Sequence, residues 1–218
     1  MSTPIGHLED ITLRALHTLR QVELILCEDT RTTMKLLRKY DIHTPIKSYH
    51  AFNEHRLLPS ILRRLQAGER IALVTDAGTP AVSDPGYLLL RTCIEHDIPI
   101  DVVPGPSAFL VALLVSGFPP QPFHFEGFLP RRKGRKKRLE YLSEVPHTIV
   151  LYESPHRLQK CLAELIQYLG RERRAAICRE LTKVHQQVVR NTLQALYEMV
   201  DQGEIPSKGE FTLVIGPK

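Results

Sequence analysis

The sequence predicts an α/β protein with two α/β domains. Apolar runs of strand length alternate with helical patterns through the first half, three prolines cluster at 118–122, and strands follow one another more closely beyond them. Alternating strands and helices are typical of a mostly parallel sheet covered on both faces. We therefore predict an N-terminal domain over 1–117 with a mostly parallel sheet, and a C-terminal α/β domain with a mixed sheet over 123–218.

The first half is predicted from the spacing of its apolar residues. Positions three and four apart indicate helices, and short continuous apolar runs between turn residues indicate buried strands. Gly68 marks the end of one helix. The predicted elements, in chain order, are a helix at 9–20, a strand at 22–28, a helix at 31–40, a strand at 45–49, a helix at 56–68, a strand at 71–75, a helix at 86–96, a strand at 98–104 and an apolar helix at 107–117.

The second half is predicted to mix parallel and antiparallel pairing. The strands at 174–181 and 186–192 are too close in sequence for a helical crossover, so they should pair antiparallel. The predicted elements are strands at 123–128 and 147–154, a helix at 155–170 that begins with a proline, the two strands just named, a helix at 193–201 and a final strand at 209–216.

Composition excludes several classes of protein. The chain has 218 residues and 43% hydrophobic content, enough for a substantial core. No apolar run reaches membrane-spanning length and the N-terminus has no signal-peptide pattern, so a cytoplasmic location is expected. Four cysteines lie far apart, without the pairs that make a zinc site, and are expected to be reduced and mostly buried.

A basic segment at 131–138, "RRKGRKKR", holds seven of the 29 Lys and Arg residues. Without it, 22 basic side chains face 24 acidic ones, and the net charge of +5 becomes −2. The segment precedes a plausible helix at 139–145, which indicates an internal loop of a folded domain. A solvated surface loop remains one interpretation. The other is a phosphate-binding element, since adjacent cations repel one another unless an anion neutralises them.

The common nucleotide-binding and hydrolase motifs are absent, including the phosphate loop, the dinucleotide fingerprint and the nucleophile elbow. Polar, turn-rich loops instead follow the predicted strands, where parallel sheets bind small molecules. Four are unusual: "TPIGHLED" at 3–10, "EDTRTT" at 28–33, "DAGTPAVSDPG" at 76–86 and "VPGPSA" at 103–108.

Each loop alone also has a purely structural interpretation. Pro104 and Pro106 could fix a turn with Ser107 as helix N-cap, and Asp84 could cap the helix that begins near Gly86. Together, the loops bring backbone and hydroxyl groups to one edge of a sheet. That arrangement predicts a site for a polar ligand.

Seven motifs carry a resemblance that covers nearly the whole chain. The sequence resembles the RsmI-type 16S ribosomal RNA methyltransferases of the tetrapyrrole methylase superfamily. The resemblance implies two α/β domains with a cofactor cleft between them, a homodimer, and transfer of a methyl group from S-adenosyl-L-methionine to the ribose 2′-OH of a cytidine in 16S rRNA of the small ribosomal subunit. The motifs are "TPIGHLEDIT", "EDTR", "DAGTPAVSDPG", "VVPGPSA", "GFLP", "YESPHR" and "RELTK".

The resemblance also implies which residues bind the cofactor. A sulfonium favours a nearby carbonyl or carboxylate over a cation, which fits acidic loops. An ordinary strand end is the alternative for Tyr152 and Glu153. The implied cofactor residues are Ile5, Asp76, Ala77, Gly78, Ala81, Ser107, Ala108, Tyr152, Glu153 and Leu181.

Methyl transfer itself needs alignment and a route for the hydroxyl proton. Candidate catalytic residues are Glu28, Asp29, Arg31 and Lys183, with Glu153 as a further one. "EDTR" could equally be a helix cap paired with its own arginine. No metal ligands are predicted. The RNA-binding candidates are Arg131, Arg132, Lys133, Arg135, Lys136, Lys137, Arg138 and Arg157.

The sequence departs from the family pattern at several points. Only Met1 and Ser2 precede Thr3, so the family's apolar first strand is expected to be missing, and the chain stops at Lys218 without the short extension that many members carry. His7 stands where asparagine is usual, and Gln186 where glutamate is common. Two alternative functions remain open: a small-molecule (tetrapyrrole-type) methylase, or a non-catalytic RNA-binding assembly protein of the same fold.

Overall fold

A three-stranded parallel sheet organises the first part of the chain, in the order β2-β1-β3. A computed structural model describes residues 1–218. The strands are β1 (Leu24–Cys27), β2 (Ile46–Ser48) and β3 (Ile71–Leu73), and the helices are α1 (Leu13–Gln21), α2 (Thr30–Lys39), α3 (Glu54–Gln66) and α4 (Tyr87–Glu95).

Helices cover both faces of this sheet, as predicted. Successive side chains of a strand point to opposite faces. Ile25 and Cys27 of β1 belong to a core with α1 and α2, whereas Leu24 and Leu26 belong to a second core with α3 and α4. All four residues of β1 are buried, so β1 is the central strand.

Two expectations for this part need correction or qualification. The predicted strand at 98–104 does not form, because Pro99 and Pro104 lack backbone donors. Its backbone hydrogen bonds are isolated ones, from the Ile98 amide to Cys93 and from the Ser2 amide to Val103. Residues 1–3 form no regular strand either. Thr3 instead pairs with Gly78 in an isolated antiparallel bridge.

The second part is a five-stranded mixed sheet in the order β4-β5-β8-β6-β7. Only β4 and β5 are parallel, and β6 and β7 pair antiparallel as predicted. The elements are α5 (Ala108–Ser116), β4 (Phe123–Phe128), α6 (Arg135–Glu144), β5 (Thr148–Glu153), α7 (Leu158–Leu169), β6 (Arg174–Arg179), β7 (Gln187–Thr192), α8 (Leu193–Asp201) and β8 (Phe211–Ile215).

The chain divides into two compact units, unit 1 (Met1–Ser107) and unit 2 (Ala108–Lys218). The division falls ahead of the prolines at 118–122, because α5 packs on strands of the second sheet. All four cysteines are buried and reduced. No helix has both the length and the apolar character needed to cross a membrane.

Candidate functional site

Three of the four polar loops of unit 1 are joined beyond the end of β3. Thr3 and Gly78 exchange two backbone hydrogen bonds, of 2.8 and 3.1 Å, and the amide of Ser2 donates to the carbonyl of Val103 over 3.1 Å. The hydroxyls of Ser2 and Thr79 lie 2.9 Å apart. The loops at 3–10, 76–86 and 103–108 therefore form one continuous surface.

Small residues make this close approach possible. A Cβ added to Gly105 would lie 2.9 Å from the Cβ of Ser2, and one added to Gly78 would lie 3.6 Å from Ile5 Cγ2. Gly78 has a φ of +82° and Ala81 a φ of +65°. Positive φ values at such positions are uncommon outside glycine and cluster at ligand sites. Of the predicted cofactor residues, this surface brings together Ile5, Asp76, Ala77, Gly78 and Ala81.

The end of the 76–86 loop serves helix α4, though not as expected. Gly86, and not Asp84, occupies the N-cap position, with a φ of +130°. A Cβ at Gly86 would lie 2.6 Å from Leu73 Cδ2, so glycine is required there.

The "EDTR" loop joins the same edge through Asp29. The Asp29 amide donates to Asp76 Oδ1 over 3.0 Å. Its carboxylate caps α2, accepting from the Arg31 amide at 2.8 Å and pairing with the Arg31 guanidinium at 2.6 Å. Hydrogen bonds from Arg31 lower the pKa of Asp29 to about 2. Asp29 and Arg31 thus form the capping pair, and Asp29 is a poor proton acceptor.

Glu28 behaves differently from its neighbour. Partial burial and the nearby Asp76 raise the pKa of its carboxyl, while His50 and the Thr75 hydroxyl act in the opposite direction. No arginine or lysine pairs with it. A carboxylate with a raised pKa and no cation is the stronger base. Of Glu28 and Asp29, Glu28 is the better suited to accept a proton.

The predicted cofactor residues of unit 2 lie in two places. Ala108 begins α5, and the next amide, that of Phe109, donates to the Tyr152 hydroxyl over 3.1 Å. Tyr152 also packs against the rings of Phe125 and Phe128, at 5.3 and 5.5 Å. Leu181 is buried in the turn after β6. Ser107, the last residue of unit 1, directly precedes α5.

Glu153 is occupied within unit 2. Its side chain is fully buried, accepts a hydrogen bond from the Ser154 amide at 2.7 Å and forms an ion pair with the Arg157 guanidinium at 2.7 Å. Arg135 lies 3.8 Å away. The Glu153 carboxylate is thus paired with arginines of unit 2 at the end of β5.

Lys183 is held between two carboxylates, Glu180 at 3.0 Å and Glu210 at 3.1 Å. Burial alone would lower the pKa of its ammonium group, but the hydrogen bond that it donates to Glu180 and the charge of Glu210 raise it. Lys183 therefore stays protonated at neutral pH. It cannot serve as the base of a methyl transfer.

Only the first half of the basic segment is a loop. Helix α6 begins at Arg135, after Gly134 in a left-handed conformation, so the last four cations of the segment lie on the helix. Arg135 is buried, 2.6 Å from Glu164. Arg138 pairs with Glu126 at 2.5 Å and stacks on the Tyr141 ring.

Three predicted RNA contacts therefore have internal partners: Arg135, Arg138 and Arg157. Arg135 is the clearest correction, since its side chain is 8% exposed and supports the fold. The remaining cations face solvent, and we call them the exposed basic set. They are Arg131, Arg132, Lys133, Lys136 and Lys137.

Sequence reasoning missed two polar residues at the edge of unit 1, His50 and Asn53. The Asn53 side chain contacts the backbone of His50 and Ser48 and also the His50 ring. They follow strand β2 at the end where Glu28 follows β1, because Cys27 and Ser48 are partners in the parallel ladder. The polar stretch "SYHAFNEHR", directly after a predicted strand, was the signal available in the sequence.

Comparison with known proteins gives relatives that match nearly the whole of this chain. A chain from Mesorhizobium japonicum is 46% identical over 218 residues, covering 100% of this chain and 74% of the relative. One from Thermotoga maritima is 45% identical, covering 100% and 97%. One from Escherichia coli O157:H7 is 42% identical, covering 98% and 75%. Each is named "Ribosomal RNA small subunit methyltransferase I".

Solved structures share the fold at lower identity. A cobalt precorrin-4 methyltransferase of cobalamin biosynthesis matches with a TM-score of 0.73 and 20% identity, over 99% of this chain and 92% of that one. A uroporphyrin-III C-methyltransferase from Thermus thermophilus matches with a TM-score of 0.67 and 19% identity, over 99% and 91%. The family model for tetrapyrrole (corrin/porphyrin) methylases matches residues 2–197. The chain therefore belongs to the tetrapyrrole methylase family.

Proposed function

We propose that this protein is an S-adenosyl-L-methionine-dependent methyltransferase that acts on ribosomal RNA of the small subunit. The observation that carries the proposal is 41–47% identity, over at least 98% of the chain, to relatives named for this reaction. The exposed basic set supports an RNA substrate, since phosphate contacts come mainly from such cations.

The edge of unit 1 fits the cofactor. S-Adenosyl-L-methionine carries amino, carboxylate and hydroxyl groups that need backbone partners, and Gly78 and Gly105 leave the backbone open to close approach. The carboxylates of Glu28 and Asp76 suit a sulfonium, and the Arg31 guanidinium, which interacts with Asp76, is already paired with Asp29. The bound cofactor would supply an electrophilic methyl group. The unit 2 residues Tyr152 and Leu181 remain predicted contacts.

We assign the acceptor atom to a cytidine ribose 2′-oxygen of 16S rRNA, as the sequence resemblance implies. Glu28 is the proposed acceptor of the hydroxyl proton, because burial and Asp76 raise its pKa, whereas hydrogen bonds from Arg31 lower that of Asp29. Asp29 retains its role as helix cap. Alignment of oxygen, methyl carbon and sulfur supplies most of the rate enhancement.

The proposal includes a homodimer in the cytoplasm, where ribosomal subunits are found. Helix α5 supports the dimer, since its Leu110 and Leu114 are 47% and 65% exposed. These side chains lie four residues apart and therefore on the same side of the helix. Exposed apolar side chains of this kind are typical of subunit interfaces.

Transfer of a labelled methyl group tests the function directly. Purified small ribosomal subunits and a corrinoid precursor are offered separately with labelled cofactor. Label in the 16S rRNA is the expected result, and label in the corrinoid alone would overturn the RNA assignment. Calorimetry with the cofactor tests the non-catalytic alternative, because an enzyme must bind it and a protein that lost turnover together with its cofactor site would not.

A further inference from the structure

We propose that His50 is a positioning residue that keeps the Glu28 carboxylate ionised and oriented toward the ribose hydroxyl. The inference deepens the proposed methyl transfer and rests on it. It starts from Asn53, which occupies the N-cap position of helix α3 but makes no capping hydrogen bond. Asparagine is among the preferred N-cap residues because its side-chain oxygen can accept a helix amide.

The Asn53 side chain forms hydrogen bonds with His50 instead. Its Oδ1 accepts from the backbone amide of His50 over 2.8 Å, which fixes which way the carboxamide points. Its Nδ2 then donates to the Ser48 carbonyl over 3.2 Å and meets His50 Nε2 at 3.2 Å. Two backbone groups thus determine the orientation of the amide. The remaining N–H is directed at the imidazole.

This contact selects the tautomer of His50. Because Asn53 Nδ2 is a donor, His50 Nε2 must accept, and in the neutral ring the proton then resides on Nδ1. His50 Nδ1 is buried and has no hydrogen-bond partner within the chain. A buried donor without a partner costs free energy, so it indicates a group that becomes satisfied in another state of the site.

The groups around this donor point to Glu28. The Ser48 hydroxyl donates to the Glu28 carbonyl over 3.3 Å, and the Tyr49 amide donates to the Cys27 carbonyl over 2.8 Å, so Tyr49 is level with Glu28 and His50 directly follows it. A charge interaction with His50 favours the ionised form of Glu28, whereas Asp76 and Asp29 disfavour it, so the imidazole is within electrostatic reach of this carboxylate. The unsatisfied His50 N–H supplies a donor at the same edge, and it offsets the repulsion on Glu28 when it binds the carboxylate.

The reaction step balances with these groups. The ribose 2′-oxygen forms a bond to the methyl carbon while the bond between that carbon and sulfur breaks, and the electron pair of that bond stays on sulfur. The hydroxyl proton passes to the Glu28 carboxylate and later to water. Glu28 must therefore be ionised before each turnover, and a hydrogen bond to the charged form is what lowers a carboxyl pKa.

The test compares two substitutions of His50. Asparagine places an N–H close to the position of imidazole Nδ1, so His50→Asn retains the proposed donor, whereas His50→Ala removes it. The profile of kcat against pH is measured for both, with saturating cofactor and small subunits. Without the donor the Glu28 pKa rises, and the acid limb of the profile should move up by about one pH unit in His50→Ala. His50→Asn should move it much less.

His55→Ala is the matched control, since His55 is exposed on α3, close in sequence and outside the proposed site. It should leave the profile unchanged. An unshifted acid limb in His50→Ala, with wild-type protein active, would overturn the role of His50. An equal shift in His50→Asn and His50→Ala would do so as well. Absence of methyl transfer by the wild-type protein would instead count against the proposed function.

Discussion

At the residue scale, the central contrast is between Glu28 and Asp29. The two carboxylates are adjacent in sequence, yet Arg31 lowers the pKa of Asp29 to about 2, while burial and Asp76 raise that of Glu28. The sequence places both at the end of a strand. It could not distinguish them, because the difference depends on which carboxylate the Arg31 side chain reaches.

Substitution of these two residues tests the contrast. Glu28→Gln removes the proposed proton acceptor with almost no change in shape, so kcat should fall by about 100-fold or more. Asp29→Asn keeps a side chain that can cap α2 and should leave kcat within a few-fold of wild type. Calorimetry should find cofactor affinity little changed in Asp29→Asn, because the Asp29 carboxylate is already paired with Arg31. Equal kcat values for Glu28→Gln and wild type would remove Glu28 from the mechanism.

The Glu28 pKa also sets a pH dependence. Its folded-state pKa is raised, so protonation of Glu28 begins at a higher pH than for an ordinary glutamate. Only the ionised form accepts a proton, and kcat should therefore decrease as the pH falls through this raised value. Rates measured from pH 4 to 8 in wild type check this. A flat profile over that range would argue against a carboxylate base.

Gly86 tests the packing of the 76–86 loop. An added methyl group meets Leu73 at 2.6 Å on a backbone with φ of +130°. Gly68 has a similar positive φ of +88° but open space around it, so Gly68→Ala carries only the backbone strain. We expect Gly86→Ala to lower the free energy of unfolding by about 1–3 kcal/mol more than Gly68→Ala. Urea denaturation of both variants measures the difference, and equal losses would contradict the clash.

At the element scale, most helices and strands follow from the apolar pattern, and the exceptions have local causes. Strand β4 and helix α8 match the predicted limits at 123–128 and 193–201. The strand at 98–104 fails because its prolines remove backbone donors. Helix α6 starts earlier than predicted because Arg135 buries its side chain against Glu164, and sequence patterns treat arginine as a surface residue.

The basic segment contains both exposed cations and cations with internal partners, and substitution of the exposed ones tests RNA binding. Replacing the exposed basic set with alanine should weaken RNA binding and reduce the magnitude of its salt slope by about 4, since each of the five phosphate contacts contributes about 0.7–0.9. Cofactor affinity should not change, because none of these residues belongs to the site in unit 1. Unaltered RNA affinity in this variant would exclude the segment as a phosphate-binding element.

Arg135→Met is the comparison for the same segment. Like substitution of one exposed lysine, it removes a single positive charge. Unlike that change, it leaves Glu164 and Glu153 with one fewer partner inside unit 2. Thermal denaturation should therefore show a lower Tm than for Lys137→Met, whose side chain faces solvent. Equal Tm values would mean that Arg135 has no structural role.

At the scale of the whole molecule, the sequence predicts two parts, but it does not predict where the boundary between them lies. The prolines at 118–122 mark a break in the sequence, whereas the contacts group α5 with unit 2. Helix α5 is apolar along its whole length, with Ala112 and Leu113 buried and Leu110 and Leu114 exposed. A sequence pattern without polar positions cannot tell which side of a helix faces the core.

The exposed side of α5 carries the prediction of a homodimer. Leu110→Glu combined with Leu114→Glu should convert a dimer to a monomer, seen as a halved mass in light scattering after size exclusion, because burying two carboxylates opposes association. Ile94→Glu is the control, since Ile94 is 68% exposed on α4 in unit 1. A wild-type protein that is already monomeric would contradict the dimer. An intact dimer in the double variant would exclude α5 as its interface.

The most direct test of the central claim is the identity of the methylated nucleoside. Small subunits treated with the protein and labelled S-adenosyl-L-methionine are digested to nucleosides and separated with mass detection. The proposed function predicts label in 2′-O-methylcytidine from 16S rRNA, and loss of that product with Glu28→Gln. Label confined to a methylated base, or no label in RNA from an active preparation, would contradict it.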